Sequence, residues 1–141
     1  MMEARLTIRI DIASMRDVRG FVADFVTQHA LETDEQHRIM IVLEELITNL
    51  AKYGYRNRPA GNAEIAMQLD APHLTIEFID DGDPFDPLDA PRPDLDASLE
   101  ERDLGGLGVH IVRSLSDEVR YSRAGGRNVL QLMRRVVLIE R

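Results

Sequence analysis

The sequence predicts an α+β fold, a two-layer sandwich in which a mostly antiparallel sheet carries its helices on one face. The chain contains two pairs of segments in which apolar and polar residues alternate. Within each pair a short turn joins the two segments, which is the pattern of a β-hairpin. Two stretches near the N-terminus instead repeat apolar residues at helical spacing. At 141 residues the chain has the length of one domain.

The first third of the chain predicts one strand and two helices. Alternation over residues 5–12 predicts the strand, and Ser14 predicts the N-cap of a helix over 15–31. Asp34 predicts the cap of a second helix that runs to about residue 53. Gly54 then predicts a left-handed residue at the end of that helix.

The rest of the chain predicts two hairpins separated by an irregular segment and a helix. A lid is expected at about 81–105, because this stretch holds four of the six prolines. The remaining elements are strands at 63–70 and 73–80, a helix at 107–115, and strands at 117–124 and 128–137. Arg134 and Arg135 are expected to form a solvated strand end.

Composition excludes several classes of protein. The chain has no cysteine, which excludes disulfides, zinc thiolates and cysteine nucleophiles, and its four histidines show no metal-binding spacing. No signal peptide or membrane-spanning segment is read, so a cytoplasmic protein without a membrane partner is expected. The net charge of −8 argues against nucleic-acid binding.

The negative charge is concentrated in one segment. Residues 80–103 hold ten acidic and two basic side chains, which accounts for the whole excess, and the other residues are neutral in sum. The acids of the predicted lid are expected to face solvent or a basic partner surface. Lys52 is the only lysine in the chain.

The second predicted helix contains the segment LEELITNLAKYGY, in which three polar residues share one face. Glu45, Asn49 and Lys52 fall within a narrow arc, away from the apolar stripe, and Tyr53 lies beside them. One interpretation is a solvated helix face with ordinary i,i+4 contacts. The other is a site for a magnesium-bound triphosphate, with an amide oxygen for the metal, a cation for phosphate and a carboxylate as base.

The segment IDDGDPFDP places a carboxylate where a predicted strand ends. Asp80 could accept a hydrogen bond from the amine of a base, and Gly82 has no side chain that would obstruct a ligand. An ordinary polar turn after a strand is the alternative.

Glycines 105, 106 and 108 precede and open the helix predicted at 107–115. Free backbone amides at a helix start favour an anion such as phosphate. The alternative is that these glycines are hinges between the lid and the helix. The spacing is neither that of a Walker loop nor that of a Rossmann dinucleotide site.

Together, in this order, the three motifs resemble the GHKL ATPase superfamily, which includes histidine kinases, gyrase-type ATPases and Hsp90. The segments LEELITNLAKYGY, DDGDPFDP, GGLGVHIVRSLSDEVRY and GGRNVLQL resemble its stand-alone branch of anti-sigma-factor serine kinases. The resemblance covers nearly the whole chain and implies a histidine-kinase-like ATPase fold that uses ATP and Mg²⁺.

The resemblance implies a role for four residues of the second helix. Glu45 would be the general base for a protein serine hydroxyl, and Asn49 would hold Mg²⁺ between the ATP phosphates. Lys52 would lie near the phosphates, and Tyr53 near the nucleotide pocket.

The resemblance also implies roles for the two glycine-containing motifs. Asp80 would accept a hydrogen bond from the adenine amine, and Gly82 would allow close approach. Gly106, Leu107 and Gly108 would bind the phosphates as the lid closes. Pro84 departs from the D-x-G-x-G pattern of the superfamily, and because proline has no N–H any backbone contact made there is lost or replaced.

Three functions follow from this resemblance. The first is phosphoryl transfer from ATP to a serine of a STAS-domain anti-anti-sigma protein, and the second is an ATP-responsive module that sequesters a sigma factor with little or no catalysis. The third, an ATP hydrolase or histidine kinase fragment, is disfavoured because no helix with a phospho-accepting histidine precedes the domain. The branch is often dimeric, which leaves a monomer and a homodimer open.

Overall fold

The computed structural model describes residues 2–86 and 110–140. They form a five-stranded antiparallel sheet in the order β1-β2-β3-β5-β4, together with two long helices. The elements are β1 (Met2–Arg9), α1 (Ser14–Gln28), α2 (Thr33–Tyr53), β2 (Asn62–Asp70), β3 (His73–Asp80), β4 (Glu118–Ala124) and β5 (Arg127–Arg135). Residues 110–114 are also helical. The predicted α+β fold and the order of its described elements are therefore confirmed.

The core lies between the helices and one face of the sheet. Along β2, β3 and β5, buried residues alternate with more exposed ones, as expected of strands covered on a single face. The register aligns these inward residues across the sheet, as in the row Ile65, Phe78 and Leu130. The helices supply the opposing layer through the buried stripes Val18, Val22, Phe25 and Val26, and Ile39, Val42, Leu43, Leu46, Ile47 and Leu50.

The predicted starts of both helices are wrong in detail. Ser14 is the first residue of α1, and both its N–H and its hydroxyl donate to Asp11 Oδ1, at 2.8 and 2.9 Å. The side chain of Asp11, rather than that of Ser14, therefore accepts a hydrogen bond from a backbone N–H at the start of α1. In α2, Glu32 occupies the N-cap position, and Asp34 lies in the first turn, where its charge favours the helix dipole.

The boundaries around α1 also shift toward the N-terminus. The first strand ends at Arg9, so Ile12, which the alternation placed in that strand, lies in the connection to α1 and is 92% exposed. The helix ends at Gln28 rather than 31. The turn at Ala71 and Pro72 lies between β2 and β3 as predicted.

Gly54 ends α2 for a reason other than the predicted left-handed conformation. Its φ is −82°, which any residue adopts. A Cβ at this position would instead lie 2.6 Å from the carbonyl oxygen of Leu50 and would overlap the Leu50 side chain. Gly54 is therefore required by close packing at the end of the helix.

Arg134 contradicts the prediction of a solvated strand end. Its guanidinium donates from Nε to Glu35 Oε2 at 3.1 Å and from Nη2 to Glu35 Oε1 at 2.9 Å. A third bond runs from Nη1 to the carbonyl oxygen of Leu115, at 2.8 Å. This arginine therefore connects β5 to the first turn of α2 and to the end of the helical segment 110–114, whereas its neighbour Arg135 is exposed as predicted.

Glu35 is completely buried in the structure, yet its charged form is favoured over its neutral form. Burial by itself would raise the pKa of Glu35, but the hydrogen bonds and charges of Arg134 and Arg38 outweigh burial and hold the pKa below its ordinary value. Arg38 contributes a bond of 2.8 Å to Oε1. Since removal of one partner from a buried ion pair leaves the other charge uncompensated, this cluster stabilises the attachment of α2 to the sheet.

We expect Glu35→Gln to lower the free energy of unfolding by about 3 kcal/mol at neutral pH, because Arg134 loses its buried partner. A carboxyl group with a lowered pKa stabilises the fold above its ordinary pKa, and this contribution disappears as the pH falls through the lowered value. The difference from wild type should therefore shrink below about pH 4. Urea unfolding from pH 7 to pH 3 measures it.

Glu44→Gln is the matched control for this experiment. Glu44 pairs with Arg19 at 3.4 Å on the exposed surface of the same helix. Glu44→Gln should therefore lower the free energy of unfolding by less than about 1 kcal/mol. A loss as small for Glu35→Gln, or one that persists undiminished at pH 3, would contradict the assigned role of the buried pair.

Two glycine substitutions should have opposite effects on stability. Gly54→Ala should destabilise the protein by roughly 1–3 kcal/mol, because the added methyl group meets the backbone of Leu50. Gly20 lies within α1, and a Cβ there has no atom within 4 Å, so Gly20→Ala should stabilise by up to about 1 kcal/mol through helix propensity. Thermal unfolding of both variants measures this, and a shift of the same sign for both would refute it.

Candidate functional site

A pocket lies where the C-terminal half of α2 faces the C-terminal end of β3 and the N-terminal end of β5. Its apolar part is formed by Leu46 and Leu50 from the helix and by Phe78 and Leu130 from the sheet. The polar side chains that line it are Asn49, Asp80, Asp83 and Asn128, and the aromatic ones are Tyr53, Tyr121 and Phe85. An apolar pocket with a few convergent polar groups is the usual form of a small-molecule site.

Asp80 is one of the two acids that line this pocket. It is the last residue of β3, and its Oδ1 accepts hydrogen bonds from Gly82 N at 2.8 Å and from Asn128 Nδ2 at 2.9 Å. Its Oδ2 accepts none from the described residues. Burial raises the pKa of Asp80, and the two hydrogen bonds to its charged form offset part of that rise. One oxygen of the carboxyl group is thus fixed by the protein, and the other can accept a donor from a ligand.

Asn128 holds Asp80 from the neighbouring strand, and the sequence reasoning assigned it no role. It is 5% exposed, and its Nδ2 also donates to the carbonyl oxygen of Asp83 at 2.9 Å. Its Oδ1 accepts from Tyr121 Oη at 2.6 Å and from Arg123 Nη1 at 3.1 Å. The available signal was positional, since an amide occupies an inward position of a strand whose next inward residues are leucines.

Gly82 follows Asp80, and its lack of a side chain serves the packing of the protein. A Cβ there would lie 2.7 Å from Leu50 Cδ1 and 2.9 Å from Asp80 Oδ1. Any side chain would therefore displace either the wall of the pocket or the fixed oxygen of Asp80. The predicted approach of a ligand to Gly82 stays a prediction.

The turn after β3 is attached to the loop that follows α2. Asp83 N donates to Gly54 O at 2.7 Å, and Arg58 donates to the carboxylate of Asp83 at 3.0 Å. The hydroxyl of Tyr55 donates to Asp81 Oδ1, and the guanidinium of Arg58 lies 4.8 Å from the ring centre of Tyr55. The first acids of the predicted lid therefore form ordered contacts within the domain.

The structure brings together some of the predicted site residues. Asn49, Tyr53 and Asp80 line the pocket, and Gly82 adjoins it. Glu45 and Lys52 lie on the same helix but are not among the described residues that line this pocket, and Lys52 is exposed. The remaining predicted residues, Gly106, Leu107 and Gly108, and the lid beyond residue 86, lie outside the described part of the chain.

Phe85 is a second pocket residue that sequence reasoning missed. It follows Pro84, lines the pocket and is 51% exposed, and Tyr53 on the helix side is 56% exposed. A flat ligand would remove part of both aromatic side chains from water.

The described residues contain no group of three or more histidine or acidic side chains that could bind a metal by themselves. None of their helices is both long and apolar enough to cross a membrane.

Comparison with known proteins identifies the relatives of this chain. The family described as histidine kinase-like ATPase domain matches residues 8–134. A protein named anti-sigma F factor from Anoxybacillus flavithermus is 30% identical over 117 residues, which is 82% of this chain and 80% of that protein. Its namesake from Geobacillus stearothermophilus is 33% identical over 103 residues, which is 72% of this chain and 69% of that protein.

A solved structure supports the fold independently. The chain that contains the RsbU and RsbW domains of Rv1364c from Mycobacterium tuberculosis aligns with a TM-score of 0.69 at 16% identity. The alignment covers 100% of the present chain and 34% of that longer one. The family match agrees with the resemblance inferred from the three motifs. The chain belongs to the histidine kinase-like, or GHKL, ATPase domain family, and this membership implies that it binds ATP.

Proposed function

We propose that this protein is an anti-sigma regulatory factor with serine kinase activity. It would bind ATP and transfer the terminal phosphoryl group to a serine of a STAS-domain anti-anti-sigma partner. The observation that carries the proposal is the single available oxygen of Asp80 in an apolar pocket of a histidine kinase-like domain. The names of the relatives, anti-sigma F factors, support the regulatory role.

The pocket suits the recognition of adenine. The base would lie against Leu46, Leu50, Phe78 and Leu130, and its exocyclic amine would donate to Asp80 Oδ2. Partial burial of Asp80 would strengthen this hydrogen bond, because the local dielectric is lower than that of water. Tyr53 and Phe85 would cover the parts of the nucleotide nearest the opening.

Asn49 fits the predicted role in holding Mg²⁺. It lines the pocket on the helix that faces Asp80, and its side-chain oxygen is a suitable ligand for a hard cation. Magnesium commonly takes one or two protein ligands and completes its shell with water and phosphate oxygens, so the absence of an acidic cluster among the described residues is compatible with it. When bound, the ion would neutralise charge on the phosphates.

The remaining predicted residues complete the phosphate end of the site. Lys52 would add a positive charge near the phosphates, and the amides of Gly106, Leu107 and Gly108 would bind phosphate oxygens. Glu45 lies one helical turn before Asn49. In that position its carboxylate would accept the proton of the serine hydroxyl as the serine oxygen bonds to the γ-phosphorus and ADP leaves.

The turn after β3 should repel an anionic nucleotide less than its acidic sequence indicates. Asp81 and Asp83 are hydrogen-bonded to Tyr55, Arg58 and the backbone of Asn62, and Arg123 donates to the carbonyl oxygen of Gly82 at 2.8 Å. The nearby positive charges reduce the repulsion that these acids would exert on a triphosphate.

The second candidate is an ATP-responsive module that sequesters a sigma factor with little or no catalysis. The observation that favours it is that the relatives are named as factors that act against a sigma factor. ATP binding without any phosphorylated partner would support this candidate. Both proposals place the protein in the cytoplasm with its transcriptional partners, as a monomer or a homodimer.

Asp80→Asn should reverse the preference of the pocket for the base. Because Gly82 N and Asn128 Nδ2 are both donors, the amide oxygen of the variant would take the place of Oδ1 and its NH₂ would face the ligand. The adenine amine would then meet a donor, so ATP affinity should fall by about tenfold or more, whereas inosine triphosphate, with a carbonyl oxygen there, should bind relatively better. Isothermal titration calorimetry measures both.

The control is Asp70→Asn, since Asp70 ends β2 and is exposed. It should leave both affinities unchanged. Wild-type affinity of Asp80→Asn for ATP would show that the base binds elsewhere.

Glu45→Ala should retain ATP binding but lose phosphoryl transfer by roughly a hundredfold to ten-thousandfold, because the serine proton loses its acceptor. Glu44→Ala, one residue away on the exposed face of α2, is the matched control and should transfer phosphate normally. The assay combines γ-labelled ATP, Mg²⁺ and STAS proteins encoded near this gene. Unchanged transfer by Glu45→Ala would exclude its role as general base.

A further inference from the structure

Three polar side chains stand side by side on the face of the sheet that forms the pocket. Arg123 of β4 is the register partner of Asn128 of β5, and Asn128 is the register partner of Asp80 of β3. The asparagine therefore lies between a cation and the acid proposed to bind the base. None of the proposed steps of binding or phosphoryl transfer uses it.

The amide of Asn128 has a single possible orientation. Its two hydrogens are donated to Asp80 Oδ1 and Asp83 O, and its oxygen accepts from Tyr121 and Arg123. Reversal of the amide would place its oxygen against two acceptors and its NH₂ against the guanidinium of Arg123, which only donates. Every hydrogen-bonding position of this buried amide is thus used, and each one supports the same arrangement.

Two consequences follow for Asp80. Its Oδ1 is held by two donors, and Oδ2, which accepts no hydrogen bond from residues 2–86 or 110–140, is left to accept one from a ligand. In addition, Arg123 directs its Nη1 to Gly82 O and Asn128 Oδ1, at 2.8 and 3.1 Å, rather than to the carboxylate of Asp80. The side chain of Asn128 thereby lies between the two charged groups, which belong to the strands on either side of β5.

We propose that Asn128 is a positioning residue that keeps one oxygen of Asp80 free of Arg123 and so gives the site its selectivity for an amino-purine over an oxo-purine. The inference rests on the proposed binding of adenine at Asp80. It goes further by assigning the base selectivity to a residue of β5 that does not itself contact the amine. Removal of the amide would leave the carboxylate free to turn and to pair with Arg123.

The test compares ATP with inosine triphosphate, which differs at the position of the amine. Affinities of both nucleotides, each with Mg²⁺, are measured by isothermal titration calorimetry for wild type and Asn128→Ala. We expect wild type to prefer ATP, and the variant to lose about tenfold in ATP affinity with inosine triphosphate nearly unchanged. A merely structural role would weaken the two nucleotides equally.

Two further variants keep the test decisive. Tyr121→Phe removes one donor to Asn128 and retains the ring, so it should reduce the preference for ATP in the same direction but less, even if Asn128→Ala does not fold. Gln131→Ala is the matched control, since Gln131 lies on the opposite face of the same strand, and it should leave both affinities unchanged.

Two results would overturn the inference in distinguishable ways. If wild type prefers ATP and this preference survives in both Asn128→Ala and Tyr121→Phe, Asn128 has no positioning role although the proposed adenine site stands. If wild type binds the two nucleotides equally, the role proposed for Asp80 fails, and the inference fails with it.

Discussion

The attachment of α2 to the sheet at both ends is the constraint on which the pocket depends. At its first turn the buried carboxylate of Glu35 is held by Arg134 of β5, and just past its last turn Gly54 O accepts from Asp83 N. Buried polar groups stabilise a fold only when their partners are in place, so these contacts restrict the position of the helix along the strands. Asn49 and Tyr53 consequently face the end of β3, where Asp80 lies.

The sheet itself is polar at the two ends of its covered face and apolar between them. Asp80, Asn128 and Arg123 form one polar end, Arg134 forms the other, and the strands between contribute residues such as Phe78 and Leu132 to the core. The same alternation therefore supplies both the hydrophobic layer and the site. A ligand at the first polar end would meet an apolar surface on one side and the carboxylate of Asp80 on the other.

The acidic turn after β3 has a structural role in the domain. The acids of the predicted lid are expected to face solvent or a partner, and the first of them, Asp81 and Asp83, are accessible to solvent while also being hydrogen-bonded to the segment from Tyr55 to Asn62. At Gly61 of that segment, a Cβ would overlap the carboxylate of Asp81. The absence of a side chain at Gly61 therefore leaves room for this carboxylate. The charge of this turn serves to join two segments of the domain.

The sequence by itself determined the fold class and the element order, because strands and helices must each present an apolar face to one core. Asn49, Tyr53 and Asp80, which line the pocket, are expected at a site from their motifs and from the family that these motifs resemble, and not from periodicity alone. Only the tertiary structure decided the roles of Arg134, Asn128 and Phe85, since each depends on partners distant in sequence, such as Glu35 for Arg134 and Asp80 for Asn128. The helix starts were mispredicted because several neighbouring polar residues can precede a helix: Asp11 accepts the hydrogen bonds of Ser14, and Glu32 rather than Asp34 occupies the N-cap position of α2. A pattern in one strand reveals that a polar residue faces inward, but the residue it meets there is set by the register of its neighbours.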